Sequence, residues 1–196
     1  MPQGRTAQPI VLQTMSHIPL DLRRVPRIAA VMETEPPNHP SALTTTQIGA
    51  VGEALIAAGL TIASKGRLSP FKPFADDDGL DLLLFDKVLK KSTPVQIKCR
   101  TKVDDERAQT VQFDIRLKTF AREGCGVVLC ALLDGLSIKS IWLFEATQLQ
   151  TLARVTPEKL TIVASVKATS RDKFQPCRCD TLATVVDKII SLTPNS

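Results

Sequence analysis

Two short apolar runs in this chain carry polar side chains that a buried strand does not ordinarily hold. The first, Asp78-Gly79-Leu80-Asp81-Leu82-Leu83-Leu84-Phe85, has Asp81 at its opening, and the second is Pro94-Val95-Gln96-Ile97-Lys98. Side chains alternate between faces along an extended strand, so Gln96 and Lys98 point the same way. Joined by a hairpin, the runs bring an acid, an amide and a lysine toward one sheet edge. Upstream, Glu53 sits in a helical stretch just before the acidic strand and supplies a second carboxylate. Mg²⁺ binds oxygen, accepts one or two protein carboxylates and keeps water for the rest. Glu53 and Asp81 form such a pair, Gln96 adds a neutral side-chain oxygen, and the Ile97 carbonyl is an available backbone ligand. Lys98 beside them would orient a water or stabilise negative charge that develops in a transition state.

Composition narrows the alternatives. The chain has 196 residues, 43% hydrophobic and 23% charged, which suits one soluble α/β-sized domain with an extension. No apolar run approaches the ~20 residues that span a bilayer, and the start lacks the pattern of a secretory signal. We therefore expect a cytoplasmic protein with no membrane partner. The net charge of +5 favours an acidic partner only mildly. Five cysteines, an odd number, read as reduced thiols; Cys177-Arg178-Cys179 has no second pair or histidine near it in sequence to complete a zinc site. There is no tyrosine, and His17 and His39 lie outside the expected domain, which excludes histidine- and tyrosine-based catalysis within it. No phosphate-binding glycine loop is present.

The elements that must position these groups follow from periodicity and punctuation. Residues 1–40 hold seven of the thirteen prolines and an Arg23, Arg24, Arg27 cluster. They read as a disordered or loosely docked extension, with a DNA-contacting arm or a strand exchanged with a partner subunit as sharper alternatives. The domain proper is expected over 41–196. Thr44 to Thr46 offer helix caps ahead of a helix over Gln47–Ala58, with Ile48, Val51, Leu55 and Ala58 as its apolar stripe and Gly59 as its stop. Leu60–Ala63 is expected as a strand and Ser64–Asp78 as a loop. In that loop Lys65, Arg67 and Lys72 interleave with Phe71 and Phe74, which suits a phosphate-and-base contact surface or simple packing. Arg100 and Lys102, past the second polar strand, extend the basic candidates. Strands are expected at Leu80–Phe85, Pro94–Cys99, Thr110–Ile115, Val127–Leu133, Ser137–Phe144 and Leu160–Val166. Helices are expected at Arg116–Glu123, Glu145–Arg154 and Asp180–Leu192. Strands mixed with helices predict an α/β fold with a mixed central sheet flanked by helices.

These residues resemble the PD-(D/E)XK nuclease superfamily, the restriction-endonuclease-like group. Gly52-Glu53 is similar to its helical acid, Asp78-Gly79-Leu80-Asp81 to its D-G-x-D strand entry, and Gln96-Ile97-Lys98 to the Q-x-K form of its last motif. The three motifs stand in order over roughly residues 44–145. The resemblance implies a metal-dependent endonuclease hydrolysing phosphodiester bonds in DNA. Its catalytic residues would be Glu53, Asp81, Gln96 and Lys98, and its Mg²⁺ or Mn²⁺ ligands Glu53, Asp81, Gln96 and Ile97. Lys65, Arg67, Lys72, Arg100 and Lys102 would contact DNA. Cutting both strands with one site per chain usually calls for a homodimer. Gln96 stands where most members carry a second acid, which leaves one less negative charge for a cation. The alternative is a nuclease-fold module that binds DNA or a partner protein without cutting, in a defence, repair or mobile-element system. A scaffold in which the same residues form ordinary ion pairs is the third reading.

Overall fold

A computed structural model of the protein describes residues 43–74, 79–101, 109–117 and 126–192. The first helix, α1, spans Thr45–Ala63. It starts at Thr44 in a reciprocal capping box: the Thr44 hydroxyl accepts from the Gln47 amide at 3.2 Å, and the Gln47 side chain accepts from the Thr44 amide at 2.9 Å. Gly59 does not stop it, and Leu60–Ala63 is helix rather than strand. A Cβ at position 59 would lie 2.3 Å from Leu182 Cδ1, so the glycine marks a close approach of two helices rather than an end. The end comes at Lys65 and Gly66, both with positive φ, where the Gly66 amide reaches back to the Thr61 carbonyl at 2.8 Å. The buried line is Gly52, Ile56 and Leu60, one residue round from the expected stripe; Ala58 is exposed. Counting only large apolar residues missed it because glycine carries no side chain to count. With 19 residues and a mean hydropathy of 1.4, α1 also meets the length and composition of a membrane span, contrary to expectation. In this fold its buried line packs on the sheet.

Strand β1 (Leu68–Phe71) lies within the stretch expected as loop. It is an edge strand, where Pro70, without an amide donor, is tolerated. Strand β2 (Leu82–Asp86) and strand β3 (Lys91–Thr101) form the expected hairpin across the turn at 87–90. Next come β4 (Thr110–Arg116), β5 (Val127–Asp134), β6 (Ser137–Glu145), the short helix α2 (Ala146–Leu152), β7 (Arg154–Val155) and β8 (Lys159–Ser165). A 3-10 turn at Gln175–Cys177 leads into β9 (Arg178–Cys179) and helix α3 (Leu182–Leu192). The helix expected at Arg116–Glu123 falls largely outside the described residues, as do the 1–40 extension, Asp78 and Lys102.

Among the described residues the strands form a six-stranded sheet, β1-β2-β3-β5-β6-β9, and a three-stranded one, β4-β8-β7. Strands β3 and β5 run parallel while the other pairs are antiparallel, which makes the main sheet mixed. One face of it, through Leu84, Val95, Ile97, Leu129 and Leu143, packs with Ile56 and Leu60 of α1 and Val185 and Ile189 of α3. The other face, through Val128, Cys130, Trp142 and Phe144, packs with Phe113, Ile115 and Ile162 of the small sheet and Leu149 of α2. Strand β5 is buried on both faces, as its unbroken apolar run predicts.

Asp86, 3% exposed at the far end of β2, anchors the hairpin. Arg67 grips it with Nε at 3.0 Å and Nη2 at 2.8 Å, and the Val88 amide donates to it at 2.8 Å. The side-chain hydrogen bond from Arg67 is the main force holding the Asp86 carboxyl below its ordinary value of 3.8. A carboxyl whose pKa is lower folded than unfolded stabilises fully above its unfolded pKa and loses that contribution as pH falls through the folded one. The melting temperature is therefore expected to hold from pH 7 to about 5 and to drop below about 4. Asp86→Ala should flatten part of that drop and cost about 2 kcal/mol at pH 7, measured by urea unfolding.

Candidate active site

The site forms where β3 outruns its partner. The last β2–β3 pair at this end is Leu82 with Val95, and β3 continues to Thr101. Asp81 turns in at the step: its amide donates to the Val95 carbonyl at 3.1 Å, and its carboxylate Oδ2 accepts the Ile97 amide at 2.5 Å. The acid is thereby fastened to the backbone of the residue between Gln96 and Lys98. In a strand the N–H and C=O of one residue point to the same side, so the Ile97 carbonyl is directed to the same edge as Asp81.

Register decides which face carries which side chain. Gln96 lies beside Val128 and Lys98 beside Cys130, both on the face toward the small sheet, whereas Val95 and Ile97 lie on the helix face. Gln96 is 7% exposed, and its Oε1 is buried without a hydrogen-bond partner among the described residues. An oxygen left so in a folded protein costs about 1–3 kcal/mol, which some other gain must offset.

Glu53 arrives from the helix face. Gly52 sits directly on β3: a Cβ there would meet Cys99 Sγ at 2.1 Å and Cys99 Cβ at 2.7 Å. With no side chain at 52, the helix lies against the strand and Glu53 is delivered beside it. Burial pushes the Cys99 thiol up to about 12, with Glu53 and then Asp81 adding to the rise and Lys98 opposing it. The contact of Gly52 with Cys99 and the bond of Asp81 to the Ile97 amide bring residues 52 and 81 to the same stretch of β3. Cys99 itself escaped the sequence reading; a glycine immediately before the helical acid was the available signal.

The basic residues divide into two groups. Lys72, just after β1, binds Glu53 Oε2 at 2.7 Å, and its side chain remains 66% exposed. Arg100 lies two residues past Lys98 on the same face and donates to the Gln112 carbonyl at 3.3 Å. Lys65 and Arg67 lie at the opposite end of β1 and β2, about 17 Å of strand from Asp81. Arg67 is engaged by Asp86 there.

Among the described residues no cluster of three or more His, Cys, Asp or Glu side chains is placed to hold a metal ion. Two carboxylates with an amide and a backbone oxygen are a different donor set. It fits a hard cation that keeps several waters, and the unpartnered Gln96 Oε1 fits it as well.

No protein-family model matches the sequence, and no curated protein matches it. Among solved structures the chain is similar to a bacterial homing endonuclease, I-Ssp6803I. The two share 15% identity at a TM-score of 0.50, over 77% of this chain and 97% of that one. The fold is restriction-endonuclease-like. The Holliday junction resolvase Hjc of Archaeoglobus fulgidus is also found, at 12% identity and a TM-score of 0.38, over 64% of this chain and 95% of that one. In this fold α1 carries Glu53, β3 carries Gln96 and Lys98, and Asp81 stands immediately before β2.

Proposed function

We propose that the protein is a metal-dependent DNA endonuclease of the PD-(D/E)XK type, in its Q-x-K form. The observation that carries this reading is the Asp81 carboxylate fastened to the Ile97 amide, between a buried unpartnered Gln96 oxygen and Lys98. Glu53, Asp81, Gln96 and the Ile97 carbonyl would hold Mg²⁺ or Mn²⁺. Bound there, such a cation neutralises charge on a phosphate and acidifies water. The chain's own contribution is positional. The Ile97 amide fixes one carboxylate oxygen of Asp81, Gly52 sets the depth of Glu53, and the Lys98 ammonium would hold a water or stabilise charge developing on phosphate oxygens. Lys72 and Arg100 flank this point as phosphate contacts. Its free thiols Cys99, Cys130, Cys177 and Cys179 suit a cytoplasmic setting, and two copies would serve double-strand cleavage.

The ion pair of Lys72 on Glu53 favours the second reading, a module that binds DNA without cutting, because it cancels one of the two carboxylate charges. Metal binding separates the two. Specific binding of Mg²⁺ or Mn²⁺ raises the melting temperature with the logarithm of the metal concentration once that exceeds the dissociation constant. At about 100 times the dissociation constant the gain is ~2.7 kcal/mol, and it is expected to vanish in Asp81→Ala. A melting temperature that ignores both metals would sink the enzyme reading.

A further inference from the structure

Two phenylalanines beside the site are left unburied. Phe71 is 56% exposed and Phe74 is fully so, and they bracket Lys72, which touches Glu53. Register shows where Phe71 points. Leu82 and Val95 share the helix face, so Leu83, one residue along, faces the other way. Phe71 pairs with Leu83 and so shares the face of Gln96 and Lys98. From Phe71 to Asp81 is one strand across and two residues along, about 8 Å between Cα atoms. That distance is two to three base steps of ~3.4 Å.

An exposed aromatic next to a lysine and a phosphate-handling site matches one chemistry well. Nucleobases that have left a duplex present open π-faces, and an aromatic ring binds them without regard to sequence. Paired bases inside a duplex offer no such face. We propose that Phe71 and Phe74 form a stacking platform for unpaired bases, with Lys72 on the adjoining phosphate. The preferred substrate is then a duplex carrying unpaired nucleotides next to the cut, rather than uniform duplex. This inference rests on the nuclease reading and specifies its substrate. The lysine favours a nucleic acid over a second apolar protein surface, because an ammonium on a 66% exposed side chain lies between the two phenylalanines in the sequence, where an apolar partner would have to desolvate it.

The test uses the full-length protein and two DNAs, a uniform duplex and the same duplex with a three-nucleotide unpaired loop, in Ca²⁺ so that binding is read without turnover. Wild type is expected to prefer the looped DNA at least tenfold. Phe71→Ala combined with Phe74→Ala should cut that ratio roughly tenfold, and Phe71→Trp should retain it. With Trp at 71, emission should be quenched by the looped DNA. Equal affinity for the two DNAs, or a ratio that survives loss of both rings, overturns the stacking platform and leaves the nuclease reading standing. Failure to bind either DNA at low salt overturns both. Exclusive self-association through these rings, lost in the double variant, would assign the surface to a second copy instead and overturn the proposal.

Discussion

Lys98→Ala is expected to lower the proposed Mg²⁺- or Mn²⁺-dependent cleavage of DNA by about 10²- to 10³-fold with little change in stability. The magnitude is that of removing one preorganised charge-stabilising donor. The small structural cost follows from position: Lys98 is half-buried on β3 and its backbone pairing with β5 does not depend on the side chain. Its neighbours on that face, Val128 and Cys130, already fill the core beside it. Lys98→Arg should recover little, because a planar fork does not reproduce a compact ammonium. Cleavage rates on linear DNA with each metal, set beside urea melts, measure both halves. Wild-type rates in Lys98→Ala would end the catalytic reading of this lysine.

Gly52→Val should destabilise the protein by about 2–3 kcal/mol or more and lower any cleavage further than that loss explains. The smaller Gly52→Ala tests the same contact against an opposing term. Alanine gains about 1 kcal/mol of helix propensity over glycine. Its Cβ would nevertheless stand 2.1 Å from Cys99 Sγ and 2.7 Å from Cys99 Cβ, distances that force α1 off the strand. Overpacking of a filled core costs about 1–3 kcal/mol, so the net change in Gly52→Ala should still be destabilising. Cys99→Ala removes the sulfur and should return part of the loss, a coupling that a double-mutant cycle reads directly. Because Glu53 is the next residue, displacement of the helix also shifts the acid and its ion pair with Lys72. Unfolding at the same urea concentration as wild type would show that the helix does not need this glycine.

The order of the motifs, the hairpin at Asp81 and Gln96-Ile97-Lys98, and the strands β5 and β6 were legible in the sequence. Each is specified locally, by a two-residue period, an apolar run or a turn such as Asp134-Gly135. The fold class followed from the same signals. The first helix was misjudged at its end because Gly59, a helix breaker in isolation, serves the packing of α3 through Leu182. Strand β1 was invisible for a related reason: a four-residue segment with a proline becomes a strand only because β2 supplies its partner.

What the sequence determined by itself, then, is the inventory of chemistry: an acid on a helix, an acid opening a strand, and an amide and a lysine sharing one face. Local periodicity is enough to establish that sharing, since alternation is a property of the backbone. Only the tertiary structure decided how the inventory meets. Sequence spacing cannot bring a helix from one face of a sheet to the edge of another strand; contact between Gly52 and Cys99 does. Nor could it show that the Asp81 carboxylate is held by the Ile97 amide, that Gln96 is buried with an unpartnered oxygen, or that Arg67 serves Asp86 while Lys72 serves Glu53. Those choices depend on distances between segments far apart in the chain, which packing sets and composition does not.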